Sequence, residues 1–522
     1  MTHPGLLAAM SRPDFYPNRP DGVEVIQTHI SFIFIAGQEV YKVKKAIDFG
    51  FLDFTTLEKR KYYCEEELRL NRRLAPEAYL EVIPVSEGDG GALRLGDGER
   101  IVDYAVRMKK LPQDKMLRAL LADGKVDVSM MDRIAAKIAD FHRRAETGGR
   151  IDEIGGTDTI RRNHDENFAQ TAGYIGITIP RGRYDFIRAY DSDFLRREET
   201  LLKARVADHR IRDCHGDLHI EHICVDNGIT IFDCIEFNER FRFGDVAAEV
   251  AFLSMDLDYN GFPSWAETFV AAYVRHSGDP DIRRLLNFYR CYYAYVRGKV
   301  VGFRINDGAI DEKGRKDAVK TAAKYFDLAF AYAARPERPV LILTAGLMGT
   351  GKSVLARNLA PLLGAEVIQT DLLRKELLGI RPSARHADPF GQGIYSDEMT
   401  QKTYARALEL AAKELALGRP VIIDASYKNR DNRLQARTAA KNAGADFFLI
   451  ECVAQEKVVR ERLDARQASG SDPSDGRWEI FLAQKGAFDP VTELSAEEHI
   501  VIDTARDQEG CTEEALRRIR GI

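Results

Sequence analysis

Apolar positions follow two different rhythms along the chain. From residue 340 onward, short apolar runs at 340–344, 365–370, 420–424, 446–452 and 499–503 read as strands. Amphipathic stretches near 352–363, 371–378, 400–417, 457–466 and 512–520 read as the helices between them. Apolar strands alternating with helices predict a parallel sheet covered on both faces, an α/β module with a five-stranded parallel sheet. The earlier part differs. Strands are predicted at 30–35 and 39–44, joined like a hairpin at Gly37, then a charged helix over 57–74 and strands at 80–84, 92–95 and 103–108. After Asp127 the pattern is mainly helical, interrupted by a strand pair within 214–233. A small β-rich lobe followed by a helical lobe is an α+β layout. No internal repeat or low-complexity tract is present.

Residues 334–339 carry Pro336 and Pro339, which forbid helix continuation and favour extended backbone. The expected organisation is a first domain over 1–333, a linker over 334–339 and a second domain over 340–522. The length of 522 residues allows this number of domains. A net charge of −5 gives no general attraction to nucleic acid or anionic lipid. The 7 cysteines include no CxxC pair, so reduced thiols in a cytoplasmic protein are expected. Neither a signal peptide nor a run of about 20 apolar residues is seen, so no membrane association is expected.

Residues 346–353 read Gly-Leu-Met-Gly-Thr-Gly-Lys-Ser, the phosphate-loop pattern GxxxxGK followed by Ser or Thr. Gly346, Gly349 and Gly351 let the backbone amides, including that of Thr350, turn toward phosphate. The helix that starts after Gly351 adds its dipole. Lys352 is placed to reach the β- and γ-phosphates, and the Ser353 hydroxyl to hold Mg²⁺. Asp371 follows the second strand. It is read as the group that takes the proton from an acceptor hydroxyl, with Arg374 one turn later to hold an anionic acceptor; a helix cap is the plainer reading of Asp371. Asp424 ends an apolar strand, in position for Mg²⁺ or its water shell. Arg460, Arg462 and Arg466 share one predicted helix, and Arg462 and Arg466 share a face. They read either as lid arginines that close over the phosphate or as a solvated basic face.

A second phosphate-handling pattern lies upstream. His215-Gly-Asp217-Leu-His219 is followed by His222, and an apolar strand then ends at Asp233. Two carboxylates near neighbouring strand ends suit kinase chemistry, with Asp217 orienting the acceptor hydroxyl and Asp233 holding the metal ion. A hairpin around Asp226-Asn227-Gly228 is expected to bring them together. Asp245 and Glu249 read as residues that cap and anchor a helix nearby. Arg290 and Arg297, seven apart among tyrosines, read either as core packing with structural ion pairs or as an anionic acceptor pocket.

The first pattern resembles small P-loop kinases that phosphorylate hydroxyls, the group that includes phage polynucleotide kinase and zeta toxins. That resemblance implies Asp371 as catalytic base and Arg462 and Arg466 as lid arginines. The second resembles the aminoglycoside phosphotransferase branch of the two-lobed protein-kinase-like fold, which carries HGDxxxxN and then a strand ending in Asp. It implies that Lys42 binds the α- and β-phosphates with Lys44 as runner-up, that Glu67 pairs with that lysine, and that residues 108–111 form the adenine hinge. His222 stands where the pattern has Asn, so it is the metal-ligand candidate there, and a degenerate binding lobe stays open beside an active one. Phe51-Leu-Asp53-Phe, Arg60, Glu67–Asn71 and Phe232–Phe237 resemble a family of bacterial proteins joining these two modules. The implied function is ATP- and Mg²⁺-dependent transfer of a phosphoryl group to a small-molecule hydroxyl. The alternatives are a nucleotide-responsive regulatory protein and a nucleic-acid end kinase, the last predicting salt-dependent oligonucleotide binding.

Overall fold

The computed structural model describes residues 3–308, 310–381, 392–469 and 478–522, without the side chains of residues 89 and 466–469. The chain packs as two compact units, residues 1–167 with 195–293, and residues 168–194 with 294–522.

The first unit opens with six strands: β1 (Val23–Gln27), β2 (Ser31–Ala36), β3 (Glu39–Lys44), β4 (Tyr79–Glu87), β5 (Leu93–Leu95) and β6 (Arg100–Lys109). They form an antiparallel sheet in the order β1-β2-β3-β6-β4-β5. β2 and β3 pair from Ala36 opposite Glu39, leaving Gly37 and Gln38 as a two-residue turn. Gly37 has φ +68°, so glycine suits this turn. Alternation along β3 sorts its side chains. Tyr41 and Val43 pack with Phe34, Val85 and Ala105 in one core, while Lys42 and Lys44 lie on the opposite face. The helix Leu57–Asn71 is capped by Thr56, whose side chain accepts from the Lys59 amide. It packs on β4 and β6, with Cys64 in a second core beside Tyr79 and Val106.

The helical lobe of this unit holds two small antiparallel pairs. β7 (Ile211–Asp213) pairs with β10 (Phe243–Asp245), and β8 (Ile223–Asp226) pairs with β9 (Gly228–Ile231) around Asn227. Helices Val128–Arg144, Val246–Tyr259 and Pro263–Ser277 pack beside one another. Arg205 ties the lobe together from inside. It donates to both oxygens of Asp245 at 2.6 and 2.8 Å and to both oxygens of Asp279 at 2.6 and 2.8 Å, and all three residues are buried.

The second unit has β11 (Val340–Ala345), β12 (Glu366–Gln369), β13 (Val421–Asp424), β14 (Asp446–Val453) and β15 (His499–Asp503). All are parallel, in the order β12-β13-β11-β14-β15, as the alternating pattern predicted. Leu341, Leu343 and Ala345 face a core with Tyr404, Ala407 and Ala436 from the helices Asp397–Ala416 and Arg430–Asn442. Helices Lys352–Leu363, Gln508–Arg520 and Glu312–Ala334 form another packed set. Two helices here, Arg430–Asn442 and Trp478–Gly486, were not anticipated. The first is so polar that its buried residues are Asn432, Arg433, Ala436 and Ala440.

The boundary expected at 334–339 lies inside the second unit. Helices on its N-terminal side pack within that unit, with Phe186 edge-on to Phe330 at 5.0 Å and Arg517 5.4 Å from the Phe186 ring. No helix among the described residues is long and apolar enough to cross a membrane.

Replacing Arg205 with Ala leaves the buried Asp245 without its cation and Asp279 with only Arg210, 3.7 Å away. The first unit is expected to lose about 3–5 kcal/mol. Urea unfolding followed through Trp265, with Trp478→Phe as background, measures this loss.

Candidate active sites

In the first unit, the even-numbered lysines of β3 converge on one buried carboxylate. Lys42 Nζ lies 2.9 Å from Glu67 Oε1, and Lys44 Nζ lies 2.7 Å from Glu67 Oε2. Lys42 also reaches Asp233 Oδ1 at 2.7 Å, while Lys44 turns to Glu236. Lys42 is the one that faces the cleft, with its side chain 11% exposed against 1% for Lys44. Burial pushes the Lys42 ammonium down, but Asp233 and Glu67 outweigh it and hold the lysine charged. Burial likewise pushes the Asp233 carboxyl up, and the adjacent Lys42 overrides this to keep it well below the ordinary carboxylate range. Asp233 has φ +65°, a left-handed conformation that Asp tolerates better than most residues. Its amide donates to the Tyr79 hydroxyl at 3.2 Å, and the next amide, Cys234, donates to Asn71 Oδ1 at 2.9 Å.

Asp217 and Asp233 are brought together on either side of His222. Asp217 Oδ2 lies 3.6 Å from His222 Nδ1, and Asp233 Oδ2 lies 3.5 Å from His222 Nε2. The loop carrying Asp217 is held from below. Glu249 Oε1 accepts the amides of His215 and Gly216 at 2.8 and 2.7 Å, and Asp256 Oδ2 accepts the Ile220 amide at 3.0 Å. The other Glu249 oxygen meets His142 Nε2 at 2.7 Å, and His142 Nδ1 meets the Tyr273 hydroxyl at 2.6 Å. Glu249 is thus an anchor of the loop carrying Asp217 rather than a helix cap. Asp245 does cap its helix, accepting from the Ala247 amide. Arg290 is buried against Ser254 Oγ at 2.7 Å and Glu267 at 3.0 Å, so the anionic-pocket reading fails for it.

In the second unit, the loop after β11 depends on its glycines. Gly346 has φ +122°, and a Cβ there would stand 2.4 Å from the Cys452 carbonyl oxygen. A Cβ on Gly349 would meet Val459 at 2.9 Å, and one on Gly351 would meet Thr504 at 3.2 Å. Lys352 Nζ folds back over the loop to the Leu347 carbonyl at 2.8 Å, and Ser353 follows on the first helical turn. Thr504, unmarked by any motif, ties three parts together. Its hydroxyl donates to the Thr350 carbonyl at 2.7 Å, and Arg462 donates to the Thr504 hydroxyl and carbonyl at 3.1 and 2.6 Å. Arg462 therefore stands beside Gly351. Arg460 lies 5.4 Å from the Trp478 ring, and the side chain of Arg466 lies outside the described residues.

Asp424 is buried, takes a 3.2 Å hydrogen bond from Thr344 Oγ1, and pairs with no cation among the described residues. Thr370 Oγ1 donates to the Asp424 carbonyl at 3.0 Å, which joins the ends of β12 and β13. The helix Thr370–Leu377 has no side-chain cap, so the cap reading of Asp371 fails. Instead Arg374 Nη1 holds Asp371 Oδ1 at 2.8 Å, with Arg374 buried under the Tyr395 ring and Asp371 57% exposed at the strand end. A cleft lined by Gly346, Thr350, Cys452, Phe481 and Lys485 opens beside the loop.

The chain is 30% identical over 451 residues to the Mycobacterium tuberculosis protein Rv2004c, covering 86% of this chain and 87% of that protein. The chain belongs to the Rv2004c family. Within it, residues 62–286 match the Phosphotransferase enzyme family and residues 341–491 match an AAA domain family. This member of the Rv2004c family thus joins a phosphotransferase module to a P-loop module, as the two motif sets implied. Among solved structures, it is similar to a choline/ethanolamine kinase family protein from Mesorhizobium loti, with 13% identity, 62% of this chain and 98% of that chain covered, and a TM-score of 0.37. A gluconokinase from Sinorhizobium meliloti is similar at 22% identity over 35% of this chain and 91% of its own, with a TM-score of 0.26.

The Glu249 anchor carries a pH signature. Burial raises its carboxyl, but the hydrogen bond and charge of His142 outweigh this and leave it below its ordinary value. A depressed carboxylate contributes stability above its unfolded pKa, about 4.3, and loses it as pH falls through the folded value. Denaturation of the first unit between pH 5 and 3 is therefore expected to steepen relative to Glu249→Gln, by up to about 1.4 kcal/mol per pH unit.

Proposed function

We propose that this chain is a cytoplasmic ATP-dependent phosphotransferase with two nucleotide sites, each transferring the γ-phosphoryl group to a small-molecule hydroxyl. The observation that supports this most is the buried Asp424 carboxylate, unpaired by any described cation, at the strand end beside the glycine loop and the Asp371–Arg374 pair. An oxygen-only donor set of Asp424 and the Ser353 hydroxyl fits Mg²⁺, which when bound would offset charge on the phosphate oxygens. Lys352 leaves the Leu347 carbonyl for the β- and γ-phosphates. Asp371 takes the proton of the acceptor hydroxyl, and Arg374 holds Asp371 in place. Arg462, fixed beside Gly351 by Thr504, adds positive charge at the loop.

In the phosphotransferase module, Lys42 holds the α- and β-phosphates and Glu67 holds Lys42. Asp217 orients the acceptor hydroxyl, and Asp233 with His222 supplies the metal ligands. A second reading, nucleotide binding in this module without transfer, is favoured by one feature. Lys42 is already bound between Glu67 and Asp233, so a nucleotide must compete for it. The slight negative charge of the chain disfavours oligonucleotide acceptors.

Incubation with γ-labelled ATP and pooled hydroxyl metabolites and oligonucleotides tests these roles. Lys352→Ala is expected to remove one labelled product and Asp217→Ala another, each by at least about 100-fold. Nucleotide binding with no product lost in Asp217→Ala selects the second reading. Unchanged labelling by the double variant overturns the proposal.

A further inference from the structure

Three histidines surround Asp217, and backbone partners assign the proton on each. A backbone amide can only donate and a carbonyl can only accept. His215 Nδ1 accepts from the Asp217 amide at 3.3 Å and its Nε2 faces the Phe232 carbonyl at 2.9 Å, so the proton sits on Nε2. His219 Nδ1 accepts from the Glu221 amide at 3.3 Å, so its Nε2–H points at Asp217 Oδ2, 3.6 Å away. His222 is reversed. Its Nδ1 lies 2.9 Å from the Asp217 carbonyl and must carry the proton. The Nε2 lone pair of His222 therefore faces Asp233 Oδ2 at 3.5 Å.

A lone pair set against a carboxylate oxygen, with no proton between, is an arrangement that a cation relieves. The spacing also suits an ion. Two donors each about 2.1 Å from one metal lie roughly 3.0 Å apart at a right angle and about 3.4 Å apart in a tetrahedron. Asp233 Oδ1 is taken by Lys42, which leaves Oδ2 as the oxygen on this side.

Mg²⁺ prefers oxygen donors and gives up its water shell reluctantly, whereas Mn²⁺, Co²⁺ and Zn²⁺ accept imidazole readily. The oxygen donor expected of an Asn at position 222 is absent here. We infer that the metal ion of the phosphotransferase module is a divalent transition-metal ion such as Mn²⁺, held by His222 Nε2 and Asp233 Oδ2. This deepens the proposed function, on which it rests for the role of Asp233. The P-loop module keeps the oxygen-only set of Ser353 and Asp424, so the two modules differ in metal preference within one chain. His219, with its proton directed at Asp217, orients that carboxylate and is not a ligand.

Pulsed electron paramagnetic resonance of Mn²⁺ added to the full chain, without nucleotide, tests the site. Imidazole ligation is expected to give nitrogen-14 coupling in the wild type, and this coupling should vanish in both His222→Asn and His222→Gln. Circular dichroism matched to wild type establishes that the variants are folded. A tenfold excess of Mg²⁺ should leave the nitrogen-coupled Mn²⁺ in place in the wild type. In His222→Asn the same excess should displace Mn²⁺ from the module. No nitrogen coupling in the wild type, coupling that persists in folded variants, or equal displacement by Mg²⁺ overturns the inference. ATP-analogue binding with and without Lys42→Ala separates the two claims. Coupling that is present while Lys42 has no effect on nucleotide binding leaves the ion site standing and removes the proposed role of Lys42.

Discussion

The phosphotransferase module is organised around one buried carboxylate. Glu67 is completely shielded from solvent, and such a charge is tolerable only with its cations in contact. Both lysines of β3 serve it, one on each oxygen. That requirement dictates which face of β3 turns inward, where the helix Leu57–Asn71 packs, and how far Asp233 must come forward. Lys42 and Lys44 together meet Glu67, Asp233 and Glu236, two cations against three carboxylates. The excess negative charge lies toward Asp233, the most exposed of the three. The network is neutral enough to persist in the interior and negative enough at its mouth to take a cation.

The P-loop module shapes its glycine loop by packing rather than by charge pairs. Its phosphate cradle is backbone, and glycine is required because Cys452, Val459 and Thr504 stand where Cβ atoms would be. Precision comes from close approach of neutral groups, with the Thr504 hydroxyl tying the loop to Arg462. One module therefore orders its candidate site with side-chain charges fixed by each other, and the other with backbone fixed by packing. The first is sensitive to any change in local charge. The second is sensitive to added volume.

These contrasts explain what was legible in the sequence. The parallel sheet and the glycine loop were readable because each rests on local pattern: apolar runs, glycines at fixed spacing, a helix directly after. Lys42 was favoured over Lys44 only by resemblance, because both occupy one strand face; in the structure the reach to Asp233 and the greater exposure of Lys42 distinguish them. Glu249 looked like a helix residue, since its partners, the His215 and Gly216 amides, are distant along the chain. Thr504 carries no motif at all. The helix Arg430–Asn442 hid because its buried face is two alanines with Asn432 and Arg433. The prolines at 336 and 339 mark a real break in the backbone, but the compact unit is set by aromatic and arginine contacts from residues 168–194, which no local signal reveals.

The two candidate phosphate-binding lysines also differ in what holds them at rest. Lys352 donates to a neutral carbonyl, an interaction of modest net strength that water or phosphate readily replaces. Lys42 is held by two carboxylates, one of them fully buried. Asp233 presents one oxygen to this lysine and the other toward His222, so positive charge placed on the second oxygen weakens its grip on the first. Cation binding beside His222 and release of Lys42 toward phosphate are then linked through a single carboxylate, and by reciprocity each favours the other. The departure at position 222 acts on that shared carboxylate.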